Sequence, residues 1–77
     1  MKKAVETIVK ALVAEPDDVE VSENADGNNV KIQVRVGSND MGRLIGREGR
    51  TVKAIRSLLY YAGQKQGKRF QLDLVED

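Results

Sequence analysis

The apolar residues of this chain follow two different rhythms, and the points where one gives way to the other mark the predicted elements. Val5, Ile8, Val9 and Leu12 recur at helical spacing with Lys3, Glu6 and Lys10 opposite them. That pattern predicts an amphipathic helix over 3–13, ended by position at Pro16. Val19 and Val21 then alternate with Glu20 and Ser22, and Val30, Ile32, Val34 and Val36 alternate with Lys31, Gln33 and Arg35. Alternation of this kind predicts two strands, each with one apolar face. The intervening Asn24-Ala25-Asp26-Gly27-Asn28-Asn29 is rich in turn residues, so the strands should form a hairpin around a loop spanning 24–29.

Ser38, Asn39 and Asp40 offer side-chain caps ahead of a short helix over 41–45, which Gly46 stops or interrupts. A longer helix over 50–62 carries Val52, Ile55, Leu58, Leu59 and Ala62 as its apolar stripe. Arg50, Lys53, Arg56 and Tyr60 take the opposite face, and Gly63 is the expected stop. The polar stretch Gln64 to Arg69 reads as a loop, and Phe70, Leu72 and Leu74 alternate with Gln71, Asp73 and Val75 in a last strand. With two helices between the second and third strands, those strands can pair in parallel through a right-handed crossover. The expected fold class is α+β, in the order α-β-β-α-α-β, with a three-stranded mixed sheet and helices packed on one face.

Length narrows this further. A chain of 77 residues is read as one small domain, 1–77, with no room for a separate catalytic domain. At that size folding hides only about 60% of the surface the unfolded chain exposes, so partner contacts are expected to matter for stability. The chain contains no cysteine and no histidine, which excludes disulfides, thiolate metal sites, a cysteine nucleophile, imidazole catalysis and most zinc sites. Asp17, Asp18 and Glu20 cluster in a polar connection without a base or nucleophile, so an enzyme is not expected, nor any cofactor. Glu6, Thr7 and Lys10 interrupt the segment after Lys2 and Lys3, unlike a signal-peptide core, and no run approaches the roughly 20 apolar residues of a spanning helix. A cytoplasmic protein without a membrane partner is the expectation.

The net charge of +1 looks uninformative until the chain is divided. Residues 1–41 carry −3, residues 42–69 carry +7 with Glu48 as their one acid, and residues 70–77 carry −3. A positive segment between acidic flanks is what a local polyanion site needs, because fields near a surface fade within a Debye length of about 8–10 Å. The alternative is a solvated helix face rich in Lys and Arg.

The chemistry concentrates in Gly42-Arg43-Leu44-Ile45-Gly46-Arg47-Glu48-Gly49-Arg50-Thr51. A P-loop needs G-x-x-x-x-G-K-[ST]; Gly49-Arg50-Thr51 imitates its ending, but Leu44 stands at the first glycine and arginine replaces the lysine. The dinucleotide fingerprint G-x-G-x-x-G fails as well, since Leu44 occupies its first glycine and the segment joins two helices instead of following a strand. What fits is Leu44-Ile45-Gly46-Arg47-Glu48-Gly49-Arg50-Thr51-Val52-Lys53-Ala54-Ile55, which resembles the signature of the KH domain, a G-x-x-G loop between two helices with apolar residues on both sides. The element order around it looks like the type II arrangement of the small stand-alone bacterial KH proteins, and the resemblance covers essentially the whole chain.

Two helices joined only by Gly46 to Gly49 must turn sharply, and glycine permits both the turn and close approach of a ligand to the backbone. The loop ends where a helix begins, and the unpaired N–H groups there favour an anion such as phosphate. Arg43, Arg47, Arg50, Lys53 and Arg56 surround the junction, more charge than a purely structural helix–turn–helix needs. Glu48 would repel phosphate, so it is expected to face solvent or pair with an arginine.

The resemblance implies that the loop grips about four nucleotides of single-stranded RNA, with bases in an apolar groove lined by Leu44, Ile45 and Val52 and by Ile32, Val34 or Val36. Alternation favours a core role for those last three. The 24–29 loop would be the opposite lip of the groove. The resemblance also implies a cytoplasmic RNA-binding role of low sequence specificity in post-transcriptional regulation or as an RNA chaperone. Partners would be single-stranded RNA and a homodimer mate or a larger KH-containing protein. The competing reading is a protein-interaction or dimerisation module, for example in ribosome assembly, for which free RNA is incidental. Aromatic platforms of the RRM kind are nearly absent. Tyr60 and Tyr61 read first as edge packing, and Lys65, Lys68 and Arg69 as a solvated second basic cluster.

Overall fold

The computed structural model describes residues 1–76. In chain order it contains α1 (Lys2–Leu12), a short 3-10 turn (Pro16–Asp18), β1 (Glu20–Asp26), β2 (Asn29–Val36), α2 (Ser38–Ile45), a second 3-10 turn (Arg47–Gly49), α3 (Arg50–Gln66) and β3 (Arg69–Glu76). The three strands lie in the order β1-β2-β3, with β1 antiparallel and β3 parallel to the central β2. This is the mixed α+β sheet of a type II KH fold.

β2 forms the floor of the core. Val30, Ile32, Val34 and Val36 are all buried, while Lys31, Gln33 and Arg35 between them are exposed. The register carries this alternation across the sheet, pairing Val34 with Val21 on one side and Ile32 with Leu72 on the other. Val5 and Val9 of α1, Leu44 of α2, and Val52, Ile55 and Leu59 of α3 complete the same buried cluster. Full burial of a Val, Leu or Ile side chain contributes about 1.5–3 kcal/mol, so a dozen of them must supply most of the stability of so short a chain. All three helices therefore cover one face, and the opposite face stays polar, with Lys31 and Asp73 paired across it at 3.2 Å.

The hairpin is tighter than its composition implies. Asn24, Ala25 and Asp26 belong to β1, paired with Lys31, Val30 and Asn29, so the connection shrinks from the predicted 24–29 loop to Gly27 and Asn28. Gly27 takes a φ of +62°, the left-handed value such a turn requires. Pairing to a strongly patterned neighbour overrides the turn preference of polar residues.

α3 also runs further than predicted. It passes through Gly63 and ends at Gly67, whose φ is +67°. Gly63 is buried because β3 returns directly over it. A Cβ there would collide with the Lys68 carbonyl oxygen and lie 3.3 Å from the Phe70 ring. It is a close-approach glycine, not a stop.

α2 starts at Ser38, and neither Ser38, Asn39 nor Asp40 caps it with a side-chain hydrogen bond. Asp40 is instead buried, 1% exposed, and works at long range. Its Oδ1 accepts the Ala14 N–H and its Oδ2 the Glu15 N–H, both at 3.0 Å, with Arg43 Nε 3.6 Å from Oδ1. Two backbone donors and a guanidinium compensate the buried charge and tie the chain leaving α1 to the start of α2. At the other end of α1, Glu23 Oε2 accepts the Lys2 N–H at 3.1 Å and satisfies one of that helix's unpaired donors. Among the described residues no helix is long and apolar enough to cross a membrane.

Because Asp40→Ala removes a buried acceptor that holds two backbone donors and leaves a gap in its place, it is expected to lower the unfolding free energy by about 2 kcal/mol. Asp17→Ala, on the exposed turn, should change it by less than about 0.5 kcal/mol. Urea denaturation followed by circular dichroism measures both; equal effects would contradict the role given to Asp40.

Candidate nucleic-acid interface

The junction between α2 and α3 is held in a conformation that few sequences permit. Gly46, Glu48 and Gly49 have φ values of +78°, +57° and +74°, three left-handed residues among four. Gly46 N–H donates to Gly42 C=O at 2.9 Å, closing α2, and Gly49 N–H donates to Gly46 C=O at 3.1 Å, closing the turn. The turn lets the first residues of α3 fold back onto the end of α2. A Cβ on Gly46 would clash with the Thr51 hydroxyl and lie 2.8 Å from Thr51 Cβ and 2.9 Å from its backbone nitrogen. Gly49 is different: its nearest neighbour would be Lys53 Cε at 3.9 Å, so space there is open. Gly46 is required by contact and conformation, Gly49 by conformation alone.

No side chain caps α3. The Arg50 N–H donates to the Arg47 carbonyl, continuing the 3-10 turn into α3, while helix geometry gives the N–H groups just after it no intrahelical acceptors, and their partial positive charge faces the turn. Around it stand exposed cations. Arg47 lies on the turn, and the Lys53 stem runs beside Gly49. Arg50 opens α3, with its Nη2 3.8 Å from Glu48 Oε2. Both partners of that pair are exposed, at 78% and 75%, so the pair is loose and costs little to open. Glu48 thus faces solvent beside an arginine.

The remaining predicted residues are placed less uniformly. Arg43 sits on α2 and is engaged with Asp40. Arg56 lies further along α3 and turns towards β3, where its Nη2 donates to the Leu72 carbonyl at 3.4 Å. Ile45 is partly exposed, at 37%, just before the turn. The expected groove lining is corrected here: Leu44 is fully buried, Val52 nearly so, and Ile32, Val34 and Val36 lie beneath the helices. Their regular spacing marks them as core, and of that group only Ile45 reaches the surface. Open space beside the loop's helix lies instead between α3 and β3, lined by Arg56, Leu59, Tyr60, Phe70, Leu72 and Asp73 in a cleft of about 410 Å³. Tyr60 and Phe70 were not assigned to the site from sequence, although the place of Tyr60 beside Arg56 and Lys53 on the helix face was a usable signal. Among the described residues no group of three or more acidic side chains is placed to hold a metal ion.

A family model described as the KhpA/KhpB KH domain matches residues 2–74. A protein of Halalkalibacterium halodurans named RNA-binding protein KhpA is 50% identical over 76 residues, covering 99% of this chain and 100% of that protein. Proteins of the same name from Clostridium acetobutylicum and Chlamydia trachomatis are 40% and 36% identical, over 97% and 100% of this chain and 100% and 99% of theirs. No solved structure matches. The chain belongs to the KhpA/KhpB KH-domain family.

The loop geometry orders three substitutions by stability. Gly46→Ala, with both a clash and a left-handed backbone, should cost about 2 kcal/mol or more, and Gly49→Ala, with the backbone penalty alone, about 1 kcal/mol. Glu48→Gly relieves the same penalty and should stabilise by up to about 1 kcal/mol. Urea midpoints report all three, and the reverse order would contradict this description of the turn.

Proposed function

We propose that this member of the KhpA/KhpB KH-domain family, acting as one KH domain over 1–77, binds single-stranded RNA with its α2–α3 turn as the phosphate clamp. The observation that carries this reading is the uncapped start of α3, presented by a turn with three left-handed residues and flanked by the exposed cations Arg47, Arg50 and Lys53. Backbone N–H groups and a helix dipole stabilise phosphate where no side chain competes for them. Relatives across the full length are named RNA-binding proteins, which supports the same ligand.

The clamp holds backbone and reads few base edges, so sequence preference is slight and the role is non-catalytic. Gly46 and Gly49 shape the turn, Arg47, Arg50 and Lys53 supply charge at it, Ile45 offers a small apolar contact, and Arg43 and Arg56 extend the positive field along α2 and α3. Glu48 weakens the field and is drawn off by Arg50. Single-site binding of about four nucleotides is weak. Useful affinity therefore comes from linked sites, through a homodimer or a larger KH-containing partner. The family resemblance implies a cytoplasmic role in post-transcriptional regulation or as an RNA chaperone, for which weak, unspecific, non-catalytic binding is suited.

A second reading has one observation in its favour. Leu58 and Tyr61 on α3 are 59% and 66% exposed, an apolar surface suited to a protein partner. On that reading the fold is an interaction or dimerisation module and RNA binding is incidental.

Fluorescence anisotropy with a random-sequence single-stranded RNA across a salt series separates the two. The comparison is between the native chain and Arg47→Asp plus Glu48→Asp, where aspartate tolerates the left-handed backbone at 48. The clamp predicts that native affinity falls as salt rises and that the variant, equally folded by circular dichroism, loses most of it. If both bind alike, or neither binds, the clamp is wrong and the interaction reading takes its place.

A further inference from the structure

β1 is hydrogen-bonded along one side only. β2 takes that side in unbroken register, from Glu20 opposite Arg35 to Asp26 opposite Asn29. The other side is a free sheet edge, and among the described residues no backbone group pairs with it. Alternate residues of such an edge direct their N–H and C=O groups outward, where an added strand would complete them. Proteins often guard an edge with proline, lysine or a bulge, and β1 has none of the three.

Beside this edge lies a cleft of about 350 Å³, lined by Met1, Lys2, Lys3 and Glu6 at the start of α1 and by Glu23 of β1. No residue of α2, α3, β2 or β3 lines it, so it sits on the outer flank of α1, against β1. Burial agrees with that placement. On the helix-side face of β1 only Val21 is buried, while Glu23 and Ala25 are exposed although their partners Ile32 and Val30 are buried. A strand laid on the edge would place every second side chain over the cleft and the others on the open face of the sheet. Domains that capture extended peptides between a strand edge and a helix use this arrangement, the backbone giving affinity and the alternate side chains specificity.

Charge selects the occupant. Between Ala14 and Val30 the chain carries Glu15, Asp17, Asp18, Glu20, Glu23 and Asp26 and no cation, all six exposed and none in an ion pair among the described residues. Glu23 accepts the Lys2 N–H, Glu6 pairs with Lys10 at 3.5 Å, and Lys2 and Lys3 are the cations of the cleft wall. A second copy docked antiparallel through β1, centred on Glu23, would set Glu23 opposite itself and Glu20 opposite Asp26, and like charges directly opposite destabilise a strand pair. RNA would meet the same repulsion. An extended protein segment with lysine or arginine at alternate positions meets carboxylates instead, Glu20 and Asp26 on the open face and Glu23 on the helix side.

We propose that the free edge of β1, with the cleft beside it, binds a cation-rich extended segment of a partner protein by strand addition. The inference does not rest on the RNA reading, since β1 is the sheet edge opposite β3, on which α3 lies. The probe is a fluorescent peptide of about eight residues, the length of the edge, alternating lysine with threonine. Anisotropy should show the native chain binding it at least about tenfold more tightly than a peptide alternating glutamate with threonine. N-methylation of one alternate set of its backbone amides should cost about tenfold or more, while methylation of the other set stays within about twofold of the parent, because only one set faces the edge. Glu20→Gln plus Glu23→Gln plus Asp26→Asn, equally folded by circular dichroism, should lose about tenfold or more, and the amide shifts caused by the peptide should fall on residues 20–26.

If both methylated peptides bind as the parent does, the attraction is charge alone and the edge takes no strand. Undiminished binding by the triple variant, or shifts that avoid residues 20–26, would overturn the site as well. So would a native chain that takes up no peptide. A triple variant that then dimerises on sedimentation would show that the acids serve to keep the edge from a second copy.

Discussion

Val30, Ile32, Val34 and Val36 point from β2 into one apolar layer, and β2 is hydrogen-bonded on both sides. A slip of one residue in either pairing would turn Lys31, Gln33 or Arg35 against that layer, which fixes the register of the whole sheet. Once the floor is fixed, the helices have one place to go. Leu44 anchors α2 on it, and Val52, Ile55 and Leu59 anchor α3, leaving the chain between Ile45 and Arg50 to bridge two held ends. The left-handed turn at Gly46 to Gly49 is the consequence of that geometry. The turn satisfies the Gly49 and Arg50 N–H groups itself, and no capping side chain reaches the start of α3 after them.

The same packing sets the electrostatics. With Val52, Ile55 and Leu59 of α3 turned down onto the sheet, while Leu58 of the expected stripe stays exposed, its cations are forced outward, and they are grouped by where they lie along the helix. Arg50 and Lys53 remain at the turn with Arg47, while Arg56 turns towards β3. A chain whose net charge is +1 thereby presents a strongly positive edge. The acidic residues sit elsewhere or are already engaged: Asp40 is buried against Ala14 and Glu15, Asp73 pairs with Lys31, and Glu23 satisfies the start of α1.

Periodicity made the element order, the mixed sheet and the G-x-x-G junction legible, because each depends on local spacing or on a short motif. What escaped depends on residues distant in sequence. Asp40 looks like a helix cap locally, and its true partners lie 25 and 26 residues away. Gly63 looks like a helix stop, yet β3 folding back over it is the reason for glycine. Asn24 to Asp26 look like a loop until a strand with strong alternation pairs with them. In the candidate site, the expected cations Arg47, Arg50 and Lys53 lie exposed about the turn, whereas Leu44 and Val52, expected to line a groove, are buried. Leu44 and Val52 are apolar residues next to the loop in sequence, but the core claims them first, and the open cleft lies between α3 and β3 instead.

The central claim is that backbone N–H groups of the turn and of the first turn of α3 hold phosphate. Amide chemical shifts recorded by NMR while a short single-stranded RNA is added test it most directly, because they report on those N–H groups themselves. The account predicts that the largest shifts fall on residues 46 to 52. Shifts confined to the polar face of the sheet, or to Leu58 and Tyr61 with the turn unmoved, would contradict it.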